Sequence, residues 1–175
     1  MSRRPDRLVV VAGTGTEVGK TWVAVRLIAA LRSAWMRVAA RKPAQSFEPD
    51  DDPDTTDAGL LAAATGEAAT DVCPSHRWYP VAMAPPMAAD SLGRHRLHVA
   101  ELLGELAASW PASEVDVGLV ELAGGPWSPM AHDGDGVELC RLLQPDVVVL
   151  VADAGLGTLN AVRPALAALA STAPT

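Results

Sequence analysis

Cysteine is scarce in this chain of 175 residues, which contains only Cys73 and Cys140. Neither cysteine belongs to a Cys-x-x-Cys or Cys/His pattern, so the sequence argues against a disulfide framework and against a structural zinc site. The four histidines also lack the spacing of metal ligands. We therefore expect two reduced thiols and a cytoplasmic protein.

Aromatic residues, positive charge and long apolar runs are also in short supply. Aromatic side chains make up 4% of the sequence although 49% of its residues are hydrophobic, so we expect a core of alanine, valine and leucine. The net charge is −7, and no dense run of lysine and arginine follows residue 7, which argues against duplex nucleic acid as a partner. No apolar run approaches the roughly 20 residues of a membrane span, and the N-terminus lacks the pattern of a secretory signal. We expect neither a nucleic-acid partner nor a membrane partner.

A glycine-rich turn between a strand and a helix is the most informative feature that is present. Residues 13–21 read Gly-Thr-Gly-Thr-Glu-Val-Gly-Lys-Thr and follow the apolar run of residues 8–11. Apolar residues then recur at the spacing of one helix face, at Ala24, Leu27, Ile28, Leu31 and Trp35. Strand, turn and helix in this order form a P-loop, in which backbone N–H groups and one lysine bind phosphate. Gly13 lies one position earlier than in the standard motif, so this loop is one residue longer.

Strands are expected to alternate with helices along the rest of the chain. The pattern predicts strands at residues 37–41, 115–122 and 146–152, the last of them buried. It predicts helices from residues 55–57 to about 65, over 99–110, over 135–143, and from Asn160 onward with Pro164 in the first turn. The proline-rich residues 74–86 are expected to form a folded loop, neither helix nor regular strand, that lines a pocket or interface. This order predicts an α/β fold, a P-loop NTPase-like parallel sheet flanked by helices in a single domain over residues 1–175.

The residues that could bind a ligand or take part in a reaction all follow the ends of predicted strands. They are Lys20 and Thr21, Lys42 and Ser46, Glu121 and Gly124, and Gly157 and Asn160. The carboxyl ends of parallel strands meet at one edge of a sheet, where ligands bind, so we predict one composite site.

Each of these residue types has a chemical use at such a site. Lys20 can reach the β- and γ-phosphates of a nucleotide, and the hydroxyl of Thr21 can bind Mg²⁺. Glu121, at a strand tip, is a candidate second magnesium ligand. Asp57 could serve the metal, cap its helix, or do both. Lys42 could stabilise charge on a phosphoryl group during its transfer.

Four separated segments follow one another as they do in a known family. They are the lengthened loop at residues 13–21, Lys-Pro-Ala-Gln-Ser at 42–46, Val-Glu-Leu-Ala-Gly-Gly at 120–125 and Leu-Gly-Thr-Leu-Asn at 156–160. In this order they resemble the motifs of the ATP-dependent dethiobiotin synthetase family of biotin biosynthesis. Met-Ala-Pro-Pro at residues 83–86 is similar to the substrate-side loop of that family.

The resemblance implies a cyclo-ligase that forms carbon–nitrogen bonds. CO₂ would add to an amine of 7,8-diaminopelargonic acid as a carbamate, ATP would phosphorylate the carbamate, and the second amine would close the ureido ring. The implied cofactors are ATP and Mg²⁺, and the implied assembly is a homodimer that binds the diamine across its interface. The implied nucleotide-binding residues are Gly15, Thr16, Glu17, Val18, Gly19, Lys20 and Thr21. The implied magnesium ligands are Thr21, Asp57 and Glu121. The implied catalytic residues are Lys20 and Lys42. The implied substrate-binding residues are Ser46, Gly124, Gly157, Thr158 and Asn160.

Three features depart from the family's pattern. Leu122 stands where the family usually has glycine, beside the metal carboxylate, and Phe47 replaces the glycine that usually follows Ser46. The chain stops at Thr175, whereas the family continues with strand–helix units that supply much of the base-binding pocket. We therefore expect a truncated chain or a shortened relative, with a sheet that could be incomplete at its C-terminal end.

Three other functions compete with the synthetase. The first is a P-loop paralogue that binds nucleotide without this turnover. The second is a partitioning-type ATPase, which usually carries a lysine at the position of Thr14 or Gly15, and neither residue is lysine here. The third is a cobyrinate-type amide synthetase, which would need an additional glutaminase segment.

Overall fold

A computed structural model describes residues 4–170 and residue 172, and a parallel sheet with helices on both faces forms its centre. The strands are β1 (Arg7–Gly13), β2 (Val38–Arg41), β3 (Gln45–Ser46), β4 (Trp78–Tyr79), β5 (Val117–Glu121), β6 (Pro129–Ala131), β7 (Gly134–Asp135) and β8 (Val147–Val151). The helices are α1 (Lys20–Ser33), α2 (Asp57–Thr65), α3 (Ala69–Val72), α4 (Pro85–Ser91), α5 (Val99–Ser109), α6 (Gly136–Leu143) and α7 (Thr158–Leu169). Two short 3₁₀ turns cover Pro53–Thr55 and Ser75–Arg77.

The central sheet has four parallel strands in the order β2-β5-β1-β8. Successive residues of β1 pack on opposite faces, with Leu8 and Val10 in one core and Val9 and Val11 in the other. Helices α5, α6 and α7 cover the first face, and α1, α2 and α3 cover the second. Burial on both faces explains why the strand reads as a continuous apolar run and not as an alternating one.

The predicted fold class is confirmed, and most elements lie within a few residues of their predicted positions. Helix α2 begins after Thr56, whose hydroxyl oxygen accepts a hydrogen bond from the Gly59 N–H at 3.3 Å. It ends at Gly66, which has a φ of 84° that glycine adopts without strain. In the described part of the chain, no helix combines the length and the apolar character that crossing a bilayer requires.

The prediction that Trp35 extends the buried face of α1 is wrong. The helix ends at Ser33, and Trp35 adopts a φ of 64° and is 94% exposed. This residue reverses the chain so that it can enter β2, and the N–H of Met36 then bonds back to the carbonyl of Leu31 at 3.2 Å. A residue that closes a helix in this way leaves the helical periodicity, so its side chain leaves the buried face.

The prediction for the proline-rich residues 74–86 is also partly wrong. The stretch contains β4, which pairs with β3 in a two-stranded parallel sheet, and it begins α4 at Pro85. Proline suits the first helical position because an N–H there would have no intrahelical partner, so the lack of one in proline costs no hydrogen bond. The expected pocket lining is nevertheless found, since residues 82–85 contribute to the wall of the cavity described below.

Two predictions near the C-terminal end of the described residues need correction. Helix α7 begins at Thr158, two residues before the predicted start, so Pro164 lies inside the helix and not in its first turn. Strand β8 is less buried than predicted, with Val147 49% exposed, because it is the outermost strand of the described sheet on that side. The antiparallel β6–β7 hairpin was not predicted at all.

Gly118 on β5 offers a test of the packing between the sheet and Trp110. A Cβ at this position would lie 2.8 Å from Trp110 Cη2 and would also overlap Pro5. We expect Gly118→Ala to lower the free energy of unfolding by about 1–3 kcal/mol in urea denaturation, because the added carbon overpacks the site. Gly104→Ala, on α5 with nothing within 4 Å of its added Cβ, is the control. It should be neutral or stabilising by up to about 1 kcal/mol, and equal losses in both variants would contradict this packing.

Candidate active site

The loops that follow β1, β2 and β5 enclose one cavity of about 610 Å³. Its volume lies in the range of small-molecule and cofactor sites. Its lining residues come from five segments of the chain: Thr16, Glu17, Gly19, Lys20, Thr21 and Trp22; Lys42 with Gln45, Ser46, Phe47, Glu48 and Asp51; Thr55, Thr56 and Asp57; Ala82, Met83, Ala84 and Pro85; and Ala123, Gly124 and Ser128.

The turn after β1 has the backbone of a phosphate-binding loop. Gly19, just before α1, has a φ of 91°, and the helix begins with Lys20 pointing back across the turn. Lys20 Nζ donates a hydrogen bond to the Gly15 carbonyl oxygen at 2.7 Å. A Cβ on Gly13 would lie 2.8 Å from Lys20 Cδ, so only glycine lets the lysine fold over this point of the loop. No acidic residue stands in the first turn of α1, which leaves the positive end of the helix dipole available to an anion.

Lys42 lies at the centre of a buried charge cluster that joins three elements. Its Nζ donates hydrogen bonds to Asp57 Oδ2 at 2.5 Å and to Glu121 Oε1 at 2.6 Å. The side chain of Lys42 is 2% exposed and that of Glu121 is fully buried, whereas Asp57 is half-buried. Thr21 Oγ1 lies 2.6 Å from Asp57 Oδ1 and 3.0 Å from Glu121 Oε1, so its proton has a choice of two carboxylate acceptors.

Burial and ion pairing oppose each other in this cluster. Burial by itself would lower the pKa of Lys42, but the charges of Glu121 and Asp57 outweigh it and raise that pKa above its ordinary value. Burial raises the pKa of Glu121 in spite of the nearby Lys42. Burial would also raise the pKa of Asp57, but Lys42 holds it below its ordinary value. Lys42 is therefore an ammonium ion at neutral pH and a positive charge held in place by its two carboxylate partners.

The pKa of Lys20 is shifted in the opposite direction. Burial and the nearby charge of Lys42 lower it, and the carboxylates of Glu121 and Asp57 offset only part of that effect. Two lysines that repel each other across a small space create a strong local preference for an anion between or beside them.

The oxygen atoms around Thr21 fit a magnesium ion that arrives with a nucleotide. The hydroxyl of Thr21 and the carboxylates of Asp57 and Glu121 converge, and Glu121 Oε2 is buried without a hydrogen-bond partner among the described residues. Mg²⁺ binds proteins through one or two carboxylates and completes its shell with water and phosphate oxygens. No group of three or more His, Cys, Asp or Glu side chains in the described residues could hold a metal by itself.

The two replacements of family glycines have different surroundings. Phe47 contributes to the cavity wall and packs edge-on against Trp78, with ring centroids 6.0 Å apart. Leu122 is 1% exposed and packs in the core beneath α5 and α6, and it does not line the cavity. The change at Phe47 therefore alters the shape of the site, whereas the change at Leu122 adds apolar volume to the core.

Most of the residues that the sequence singled out meet at this cavity. Its wall includes Thr16, Glu17, Gly19, Lys20, Thr21, Lys42, Ser46, Asp57 and Gly124. Glu121 is not part of the wall but makes hydrogen bonds with Thr21 and Lys42, which are. Gly15 and Val18 complete the turn without lining the cavity. Gly157, Thr158 and Asn160 are not part of its wall, and Thr158 Oγ1 instead donates to the carbonyl of Asp153 at 2.6 Å. Their role in substrate binding stays a prediction.

Several residues of the cavity wall were not found by sequence reasoning, and Gln45 and Ser128 are two of them. Gln45 lies inside the quoted Lys-Pro-Ala-Gln-Ser segment, so its position between Lys42 and Ser46 was an available signal. Ser128 had none, because its role depends on a turn that closes in space. Its hydroxyl oxygen accepts a hydrogen bond from the Gly125 N–H at 2.8 Å and fixes the loop after β5.

Comparison with known proteins agrees with this architecture. A family model described as an AAA domain matches residues 7–173. The ATP-dependent dethiobiotin synthetase BioD of Caulobacter vibrioides is 40% identical over 162 residues, which cover 91% of this chain and 72% of the relative. The protein of the same name from Rhodococcus jostii is 38% identical, and the match covers 87% of this chain and 63% of that relative. The one from Mycobacterium bovis is 35% identical, and the match covers 94% of this chain and 69% of that relative. The resemblance drawn from the four sequence motifs is thereby confirmed, and the chain belongs to the ATP-dependent dethiobiotin synthetase family.

Proposed function

We propose that this chain is an ATP-dependent dethiobiotin synthetase, a cyclo-ligase that closes the ureido ring of dethiobiotin. The observation that carries the proposal is the convergence of Lys20 and Lys42 with the oxygen atoms of Thr21, Asp57 and Glu121 at one cavity. The names of the relatives describe the same ATP-dependent activity.

The reaction needs no protein nucleophile. One amine of 7,8-diaminopelargonic acid attacks the carbon of CO₂ and loses a proton, which gives a carbamate. A carbamate oxygen then attacks the γ-phosphorus of ATP, and the bond to the bridging oxygen breaks as ADP leaves. The second amine attacks the carbonyl carbon and loses a proton, the bond from that carbon to the phosphate oxygen breaks, and inorganic phosphate departs as the ring closes.

The residues of the cavity suit the electrostatic problem that this reaction poses. A carbamate and a triphosphate are both anions, so they approach each other only where fixed positive charge offsets their repulsion. The turn before α1 and Lys20 would bind the β- and γ-phosphates. Lys42, fixed as an ammonium ion by Asp57 and Glu121, would face the carbamate and the γ-phosphate. Mg²⁺ held by Thr21, Asp57 and Glu121 would neutralise further phosphate charge.

The remaining elements of the proposal concern substrate binding and assembly. Ser46 and Gly124 line the cavity and would contact the substrate there. Gly157, Thr158 and Asn160 would contact the diamine across a homodimer interface, and the exposure of the neighbouring apolar side chains Leu156 and Leu159 supports such a surface. The buried free thiols of Cys73 and Cys140 suit a reducing compartment, so we propose the cytoplasm.

Product formation is the direct test of the proposal. Incubation of the protein with 7,8-diaminopelargonic acid, bicarbonate, Mg²⁺ and ATP should give dethiobiotin, detected by mass spectrometry. Parallel reactions with CTP and GTP would define the nucleotide preference, and omission of bicarbonate should abolish the product. Nucleotide binding by calorimetry without any product would instead favour a paralogue that binds nucleotide without this turnover.

Lys42 should be required for both catalysis and stability. Lys42→Met leaves Glu121 buried without a cation, so we expect a loss of about 3–5 kcal/mol in the free energy of unfolding. Turnover should fall by at least about a hundredfold, because the charge facing the transferred group is gone. The double variant Lys42→Met/Glu121→Gln removes both charges and should recover much of the stability but none of the turnover. Recovery of turnover in the double variant would show that Lys42 is only structural.

The magnesium dependence of activity tests whether Asp57 and Glu121 bind the metal or only pair with Lys42. Glu121→Gln and Asp57→Asn should each raise the Mg²⁺ concentration needed for half-maximal activity, because each removes one anionic oxygen ligand. Asp51→Asn, at the cavity wall but outside the Thr21 cluster, is the matched control and should leave that concentration unchanged. An unchanged magnesium requirement in Glu121→Gln alone would assign the metal to Asp57.

A further inference from the structure

Gln45 is a buried amide whose two ends have different environments. It lies in β3, is 2% exposed, and its backbone is paired with Trp78 of β4. Its Oε1 accepts a hydrogen bond from the Ala58 N–H at 2.9 Å, at the first turn of α2. If the amide were flipped, its NH₂ group would face the N–H of Ala58, and neither group could accept a hydrogen bond. The bond to Ala58 therefore determines which end of the amide is the oxygen.

The other end of the amide, Nε2, is buried and has no hydrogen-bond partner among the described residues. The hydroxyl oxygen of the next residue, Ser46, is in the same condition, and both residues belong to the cavity wall beside Lys42. A buried donor without a partner loses its hydrogen bond to water and destabilises the fold, and an apolar side chain of the same shape would avoid that loss. Because both residues belong to the cavity wall, we infer that an acceptor bound in the cavity is the missing partner of these atoms.

The strand order indicates which part of a bound substrate lies near Gln45. The phosphate-binding turn follows β1, whereas Gln45 follows β2 through Lys42, Pro43 and Ala44. Because β5 lies between β1 and β2, the two strands are about 10 Å apart at a spacing of roughly 4.8 Å per strand. Gln45 thus joins the cavity wall from the β2 side and the phosphate-binding turn joins it from the β1 side, so the group that receives the phosphoryl would lie between them.

We propose that Gln45 Nε2 donates a hydrogen bond to one oxygen of the substrate carbamate, next to the substrate contact already proposed for Ser46. This assignment rests on the proposed function. A carbamate is planar, singly charged and has two acceptor oxygens, which matches two neutral donors next to the ammonium of Lys42. A protonated amine has only N–H donors and would find no acceptor at Nε2, so Gln45 favours the carbamylated form of the diamine over the free form.

Two substitutions separate the donor function of Gln45 from its structural bond. Gln45→Glu keeps an oxygen that accepts from Ala58 but replaces the N–H donors with a carboxylate oxygen that would repel the carbamate. Gln45→Met has nearly the same shape and removes both bonds. The matched control is Gln144→Glu, which makes the same charge change at an exposed position outside the cavity.

The kinetic readout is the KM for 7,8-diaminopelargonic acid at fixed bicarbonate. We expect Gln45→Glu to raise it about ten- to a hundredfold, the loss typical of a hydrogen bond to a charged group. The KM for ATP should stay within about twofold of its value in the unchanged protein, whereas the Tm should fall by a few degrees because the substitution buries a carboxylate. Gln144→Glu should change none of these quantities.

A binding readout without ATP makes the test independent of turnover. The carbamate formed from ¹³C-bicarbonate and 7,8-diaminopelargonic acid should give a protein-bound ¹³C signal with the unchanged protein, which Gln45→Glu and Gln45→Met lose. If the unchanged protein makes dethiobiotin and the KM of Gln45→Glu is unaltered, the role of Gln45 is overturned and the function stands. If no product forms but the bound signal appears and depends on Gln45, the synthetase activity fails and the role of Gln45 stands. Absence of both product and signal overturns both, and a fall in Tm that accompanies equal changes in every constant shows a structural role only.

Discussion

The ion pair of Lys42 with Asp57 and Glu121 connects the end of β2, the start of α2 and the end of β5. A carboxylate as deeply buried as Glu121 is tolerated only with a cation in contact, because removal of either charge from water is costly unless the other offsets it. The same contact keeps Lys42 charged and in one place. The positive charge that we propose for the reaction is therefore also the charge that lets these elements approach, so under the proposed mechanism stability and catalysis depend on the same atoms.

The sheet topology brings that cluster to the phosphate-binding turn. Because the order is β2-β5-β1, Lys42 just after β2, Glu121 at the end of β5 and Lys20 at the start of α1 lie along one edge of the sheet. Thr21, one residue into α1, then reaches both carboxylates. The chemistry is spread over 100 residues of sequence between Thr21 and Glu121, but over only three neighbouring strands in space. Helices on both faces exclude water from beneath the cluster, which strengthens each of these charge interactions.

Local pattern was enough to predict the strand–turn–helix unit around Lys20 and the start of α2 within residues 55–57. It also predicted a sheet edge with several polar residues, although Gly157 and Asn160 do not line the cavity found there. It could not predict the strand order, because the pairing of β5 between β1 and β2 depends on contacts about 80 to 110 residues apart. It failed at Trp35, where an apolar residue fits the helical period but closes the helix. Gln45 was missed for a similar reason, since its importance comes from what its two amide ends meet in space. The part of the cavity wall formed by Gln45 and Phe47 depends on the pairing of β3 with β4. Strands of only two residues have no sequence pattern from which this pairing could be predicted.

The buried polar atoms that lack a hydrogen-bond partner indicate what kind of ligand the cavity suits. Within the described residues, the buried side-chain atoms without a hydrogen-bond partner are Gln45 Nε2, Ser46 Oγ and Glu121 Oε2. Two of these residues line the cavity, and the third is in contact with Lys42 and Thr21, which line it. Elsewhere in a fold such atoms would only destabilise, because nothing compensates their loss of water. Donors and acceptors fixed in advance at a binding site spare a bound substrate the reorganisation that water would require, which is how a rigid site stabilises charge that changes during a reaction. The clustering of these atoms at one edge of the sheet therefore supports a site built to bind a polar, charged ligand against a rigid apolar scaffold.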